Sequence, residues 1–118
     1  MKIQTQLAQC FTEQEMLAAA APAEGIEIRG MAGEHATLIK VQTRKGYGLA
    51  MHSHPQEQMV CVLSGRVRFT YENQAPHEVG PGEFVRIPGN VAHLGETLED
   101  AVTIEIFCPA RNDILAGN

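Results

Sequence analysis

Aromatic side chains are scarce in this chain: tryptophan is missing, and Phe and Tyr together make up 5% of the residues. Core volume must then come from Val, Ile, Leu and Met, and an apolar fraction of 44% is ordinary for a globular protein. No stretch approaches the ~20 consecutive apolar residues that a membrane-spanning helix requires. Basic residues are outnumbered nine to fourteen, leaving a net charge of −5. With no basic stripe to supply an attractive field, neither nucleic acid nor an anionic membrane is expected as a partner. Cys10, Cys61 and Cys108 are odd in number and far apart, with no CxxC pair, which points to free thiols in a reducing compartment. Leu7-Ala8-Gln9-Cys10 superficially resembles a lipoprotein cleavage site, but no apolar run precedes it. A signal peptide is therefore not expected, and the cytoplasm is the expected location.

At 118 residues the chain has room for one core. Residues 1–23 form a separate N-terminal segment, expected to be helical or irregular and to pack on the rest or on a partner subunit. There Thr12 and Glu15 have the spacing of a capping box, ahead of Met16-Leu17-Ala18-Ala19-Ala20, and Pro22 closes the stretch. Residues 24–118 read as β throughout. Ile26-Glu27-Ile28-Arg29 and Ala36 to Thr43 alternate apolar and polar, and Leu49 to His54 is extended after Gly46 and Gly48. Gln58 to Leu63 is strongly apolar. Ser64-Gly65 reads as a turn into a hairpin partner, Arg66 to Tyr71, and Glu72-Asn73-Gln74 as the next turn. His77 to Val79, Phe84 to Ile87, Val91 to Leu94 and Ala101 to Cys108 complete the set. About nine short strands without helical alternation predict an all-β sandwich or barrel.

His52 and His54 sit two positions apart in an extended segment, so both imidazoles project to one face. Pro55 ends the segment, Gln58 follows it, and His93 lies far down the chain. Spacing alone leaves two readings open, a metal-ligating pair or a solvated strand end. His35 and His77 flank turns among polar neighbours and suggest no role.

Gly46, five residues, His52-Ser53-His54, three residues, Gln58, six residues and Gly65 match the first cupin motif, with Gln in place of the common Glu. Gly82, five residues, Pro88 and then His93 match the second; Asn90 stands behind Gly89 where the motif has Gly, and Thr97 stands at its terminal Asn. The chain thus resembles the cupins over about half its length. The resemblance implies a single-domain jelly-roll barrel, or double-stranded β-helix. It also implies one divalent metal ion (Zn, Ni, Fe or Mn), bound by His52, His54, Gln58 and His93. Three imidazoles and an amide are all neutral, so the ion would keep its full charge and favour an anionic ligand.

In the last strand Thr103, Glu105 and Phe107 share a face. Glu105 is expected to point into the cavity, the alternative being an outward carboxylate paired with Arg or Lys. The run from Glu105 through Phe107 to Arg111, together with H-x-H-P-x-E-Q at His52 to Gln58, resembles a narrower group of cupins. These are the pectin- and alginate-degradation proteins that convert unsaturated monouronates to linear keto acids. That resemblance would make Glu105 an acid/base, Phe107 a substrate-packing residue and Arg111 a carboxylate binder, although the group's acid is typically Asp. Arg111 otherwise reads as a solvated tail residue.

The leading expectation is a metal-dependent isomerase or lyase acting on a small anionic, sugar-acid-like substrate. The alternatives are a non-catalytic small-molecule-binding cupin and a three-histidine non-haem iron dioxygenase. Outward apolar residues Met59, Cys61 and Leu63 need a cover, which predicts a homodimer.

Overall fold

The computed structural model describes residue 4 and residues 6–117. Seven strands follow one another: β1 (Leu17–Ala18), β2 (Ile26–Ala32), β3 (Thr37–Thr43), β4 (Glu57–Tyr71), β5 (Gln74–Val79), β6 (Phe84–Ile87) and β7 (His93–Cys108). All pairings are antiparallel. The path runs β1-β2-β3-β7-β4-β5, with β6 added on β4.

Two long strands organise this sheet. The expected hairpin at Ser64-Gly65 does not form; β4 continues through it for 15 residues, and β7 likewise runs for 16, merging the segments around His93 and Ala101. The two pair along their whole length, with register shifts between Val62 and Val67. At this bend Gly65 takes φ 79°, and a Cβ there would collide with the Asp100 carbonyl. Gly therefore reads as a bulge at a close backbone approach rather than as a turn. The bend divides the ribbon between two layers. The first half of β4 and the last half of β7 lie with β6 and β3, and the remaining halves lie with β5. Both ends of the ribbon return to one mouth, where Gln58 and Phe107 face each other in register and Tyr71 faces His93.

The alternation seen in the sequence decides which side chains go inward. Val60, Val62, Val67, Phe69, Val79, Val85 and Ile87 are buried between the layers. A second cluster joins Ala32, Ile39, Val41 and Phe107 to Leu115 from the tail. Removing a side chain such as Ile87, which is fully enclosed, costs about 2–5 kcal/mol in cores of this kind.

Of the two expectations for the N-terminal segment, helical or irregular, the described residues take the irregular one. Glu15 Oε1 does accept from the Thr12 N–H (3.1 Å) and from its hydroxyl (2.9 Å). The turn it caps, however, is a 3-10 segment of three residues, Glu13–Glu15. Leu17 and Ala18 instead pair with Gly30 and Arg29 on β2, and Ala19 bridges to Leu115. Ladder bonds on an available sheet edge outweigh the modest helix propensity of a short alanine run.

Candidate metal centre

Residues 44–56 form an extended loop rather than a regular strand, running beside β7 from Thr97 toward the mouth. His52 is tied into it by an isolated antiparallel bridge: its N–H donates to His93 O at 3.0 Å, and the His93 N–H donates to His52 O at 2.8 Å. His54 is anchored by the Asn90 N–H, which donates to its carbonyl at 2.8 Å. That contact explains the departure in the second motif. Asn90 sits at φ 65°, a left-handed conformation that Asn tolerates better than most residues, while Gly89 packs where a Cβ would strike the Pro55 carbonyl.

The three rings converge. Their centroids are 4.6 Å apart for His52 and His93, 5.0 Å for His54 and His93, and 5.9 Å for His52 and His54. One ring nitrogen from each falls within 4.8 Å of the others, a spacing that could hold a metal ion. Each Nδ1 faces a backbone carbonyl: Ala50 O for His52 (2.8 Å), Gln56 O for His54 (3.0 Å) and Val91 O for His93 (2.8 Å). Only an N–H can make that contact, so the proton resides on Nδ1 and each Nε2 presents a lone pair.

Two details test the fit to a cation. His93 Nε2 is buried and has no hydrogen-bond partner among the described residues. His54 Nε2 lies 3.1 Å from Gln58 Oε1, so with the proton on Nδ1 two acceptors face each other. A cation between lone pairs satisfies both atoms, and the donor set of imidazoles plus an amide oxygen suits a divalent transition metal. Burial holds His54 and His93 below the usual imidazole range, with the positive Arg111 adding to the effect. That favours the neutral rings a metal requires.

Around the cluster lie the other sequence-predicted residues. Gln58, buried on β4, donates from Nε2 to Glu105 Oε1 at 2.7 Å. Glu105 therefore points into the barrel, and desolvation pushes its carboxyl above the usual range despite donated hydrogen bonds from Thr103 and Gln58. The buried Phe107 ring stands edge-on to His54 at 5.6 Å, and the Arg111 guanidinium lies 5.3 Å from the Phe107 centroid. Arg111 is held there by the start of the tail: its N–H donates to Thr37 Oγ1 at 2.8 Å, and Thr37 Oγ1 donates to Asn112 Oδ1. Thr37 and Asn112 carry no signal in the sequence, because each acts through a partner that only the fold supplies; alternation places Thr103 only on the Glu105 face.

Arg66, Arg68 and Arg86, cations on β4 and β6, face outward. Arg68 pairs with Glu78, Arg66 lies beside the same carboxylate, and Arg86 pairs with Glu57. Cys61 lies opposite Phe84 on the outer ladder, and Cys108 is exposed. A surface concavity of about 500 Å³ opens at the bent end of the barrel, lined by Glu24, Arg44 and Asp100 among others, and none of the histidines borders it. It gathers no buried polar groups, so the chemistry belongs to the histidine mouth.

Comparison with known proteins fits this architecture. KdgF from Halomonas sp. superposes with a TM-score of 0.79 at 23% identity, over 91% of this chain and 100% of that one. An RmlC-like cupin from Shewanella frigidimarina gives 0.77 at 20% identity, over 90% and 96%. An oxalate decarboxylase from Bacillus subtilis gives 0.75 at 17% identity, over 84% of this chain but only 29% of its own length. At these identities the likeness is one of fold. No curated protein matches the chain in sequence. The model of the cupin domain matches residues 40–108, more than half of the chain and the span that carries all three converging histidines. The protein therefore belongs to the cupin family.

Proposed function

We propose that the protein is a metal-dependent enzyme of isomerase or lyase type, acting on a small anionic substrate of the sugar-acid class. The observation that carries this reading is a mouth with an all-neutral donor set, His52, His54, His93 and Gln58, beside a half-buried Arg111. A divalent ion bound by these four side chains would supply Lewis-acid polarisation of a substrate oxygen. Arg111 binds the substrate carboxylate, through the forked geometry that guanidinium offers to carboxylates. Phe107, flanked by Arg111 and His54, gives the sugar ring an apolar wall. Glu105 is the proton-transfer group, since burial holds it above the usual carboxylate range.

Turnover of an unsaturated galacturonate or guluronate tests the reading, followed by loss of the ultraviolet absorbance of the conjugated double bond. Activity is expected in the wild type and is expected to be abolished in His52→Ala and reduced at least about a hundredfold in Glu105→Gln, the usual worth of a general acid or base. Wild-type rates in Glu105→Gln remove the proton-transfer role, and inertness of the metal-loaded wild type removes the substrate class. A second reading has one observation in its favour: three imidazoles with no carboxylate ligand is also a donor set open to iron in an oxygen-using enzyme. Oxygen uptake by the iron-loaded protein distinguishes it.

A further inference from the structure

Position 58 holds an amide where a carboxylate would have cancelled part of the metal's charge. The carboxylate has not vanished from the site; it stands directly behind that amide. Val60 pairs with Glu105 and Gln58 with Phe107 across β4 and β7. Gln58 and Glu105 are thus diagonal neighbours on the inner face, close enough for two long side chains to meet. Glu105 Oε1 accepts from Gln58 Nε2 at 2.7 Å, and Oε2 accepts from Thr103 Oγ1 at 2.8 Å. Thr103 is 4% exposed and Gln58 7%, so both partners of the half-buried carboxylate are themselves buried.

The two ends of an amide are nearly equal in size, and packing alone does not decide which of them faces the histidines. A carboxylate decides it. Because it accepts and does not donate, it draws the NH2 of Gln58 to itself and turns the carbonyl oxygen toward His54 Nε2, 3.1 Å away. With the amide reversed, an N–H would face the lone pairs and the three imidazoles would have no oxygen as a fourth donor.

We propose that Glu105 is a positioning residue for the metal centre. It locks the Gln58 amide with its oxygen toward the histidine Nε2 atoms, and it returns negative charge to a cation held there through that amide rather than by direct ligation. This role rests on the metal-centre reading but is independent of the substrate, and it operates with no substrate present. Partners one step removed from a metal are typically worth about 10–100-fold in affinity.

The test is a cycle of nickel(II) affinities measured by calorimetry without substrate, on the wild type, Glu105→Gln, Gln58→Glu and the double variant. Glu105→Gln is expected to weaken nickel binding about tenfold, because a second amide can present either end to Gln58. In the Gln58→Glu background two carboxylates face each other, and Glu105→Gln relieves that repulsion by donating an N–H to the carboxylate introduced at position 58. There the same substitution is expected to strengthen binding. This inversion of sign is the signature of positioning, since a packing defect lowers affinity equally in both backgrounds. Thr103→Val, which frees the far side of the Glu105 carboxylate, is expected to weaken nickel binding in the same direction. Equal losses in both backgrounds, or unchanged affinity in both Glu105→Gln and Thr103→Val, overturn the proposal. Absence of nickel binding by the wild type overturns the metal-centre reading together with it. An intact cycle without uronate turnover upholds the positioning role and removes only the substrate class.

Discussion

At the scale of single residues, the site rests on atoms whose hydrogen bonds dictate their state. Nδ1 of His52, His54 and His93 is committed to a carbonyl, leaving His93 Nε2 buried without a hydrogen-bond partner among the described residues. Glu105 carries the opposite tension, a half-buried carboxyl facing the barrel interior and penalised by desolvation. Its folded-state pKa is raised above 4.5. The stability linked to it is therefore fully present below about pH 4.5 and is lost as pH rises through the folded value. Glu105→Gln removes a buried charge while keeping an acceptor for Gln58. The metal-free variant is expected to be more stable than the wild type at pH 7, by on the order of 1 kcal/mol. The gain should fade toward pH 4, as read by urea denaturation at both pH values. His54 and His93 run the other way: their pKa values lie below 6.5, so their share of stability is present above that pH and is lost on acidification through the folded values. The metal-free protein is accordingly expected to melt at lower temperature at pH 5 than at pH 7, and the drop should shrink when His93 is replaced by Gln. An equal drop in that variant would remove the imidazole as its cause.

At the scale of elements, the two long strands hold the site together. His93 opens β7 and Phe107 lies near its end, yet both reach the same mouth because β4 and β7 bend together at Gly65. Gly65→Ala is expected to cost about 2 kcal/mol or more, since it combines left-handed backbone with a steric conflict against Asp100. A chemical-denaturation midpoint equal to that of the wild type would show that the bend does not depend on glycine. This element also marks the limit of what can be read from the chain itself. Ser64-Gly65 has the composition of a turn, and only the partner backbone at Asp100 shows that a bulge is needed there. The meeting of His52, His54 and His93, by contrast, is what the resemblance to the two cupin motifs implies; spacing alone leaves a metal-ligating pair and a solvated strand end both open. The Gln58–Glu105 bond is not foreshadowed. Alternation places Glu105 on a face, but it does not say that position 58 lies within reach across 47 residues of chain.

At the scale of the whole molecule, one face of the barrel is unusually apolar for a surface. Phe84 is 74% exposed, and Met59 and Leu63 on the neighbouring β4 are 42% and 51% exposed. Nearby charges are already paired within the chain, Arg86 with Glu57 and Lys40 with Glu13. A face with its charges satisfied and its centre apolar suits a second copy of itself better than a charged partner. A homodimer through this face is the expected state. Light scattering should give twice the chain mass at micromolar concentration, and Phe84→Glu should shift it to the monomer. A monomeric wild type contradicts this. No helix among the described residues is long and apolar enough to cross a membrane. The tail also acts at this scale: Leu115 fills the space left by Gly30 on β2, and its neighbour Ala116 donates to Ala18 O on β1, so the tail braces that strand pair, while the preceding Arg111 is tied to Thr37 on β3.

Elemental analysis of the purified protein tests most directly whether the histidine mouth is a metal centre. After reconstitution with a single divalent metal and exhaustive dialysis, one ion per chain is expected in the wild type. The content should fall at least about tenfold in His93→Ala, and chelation should lower the melting temperature. A wild type that retains no metal, or a His93→Ala variant that retains as much as the wild type, would contradict it.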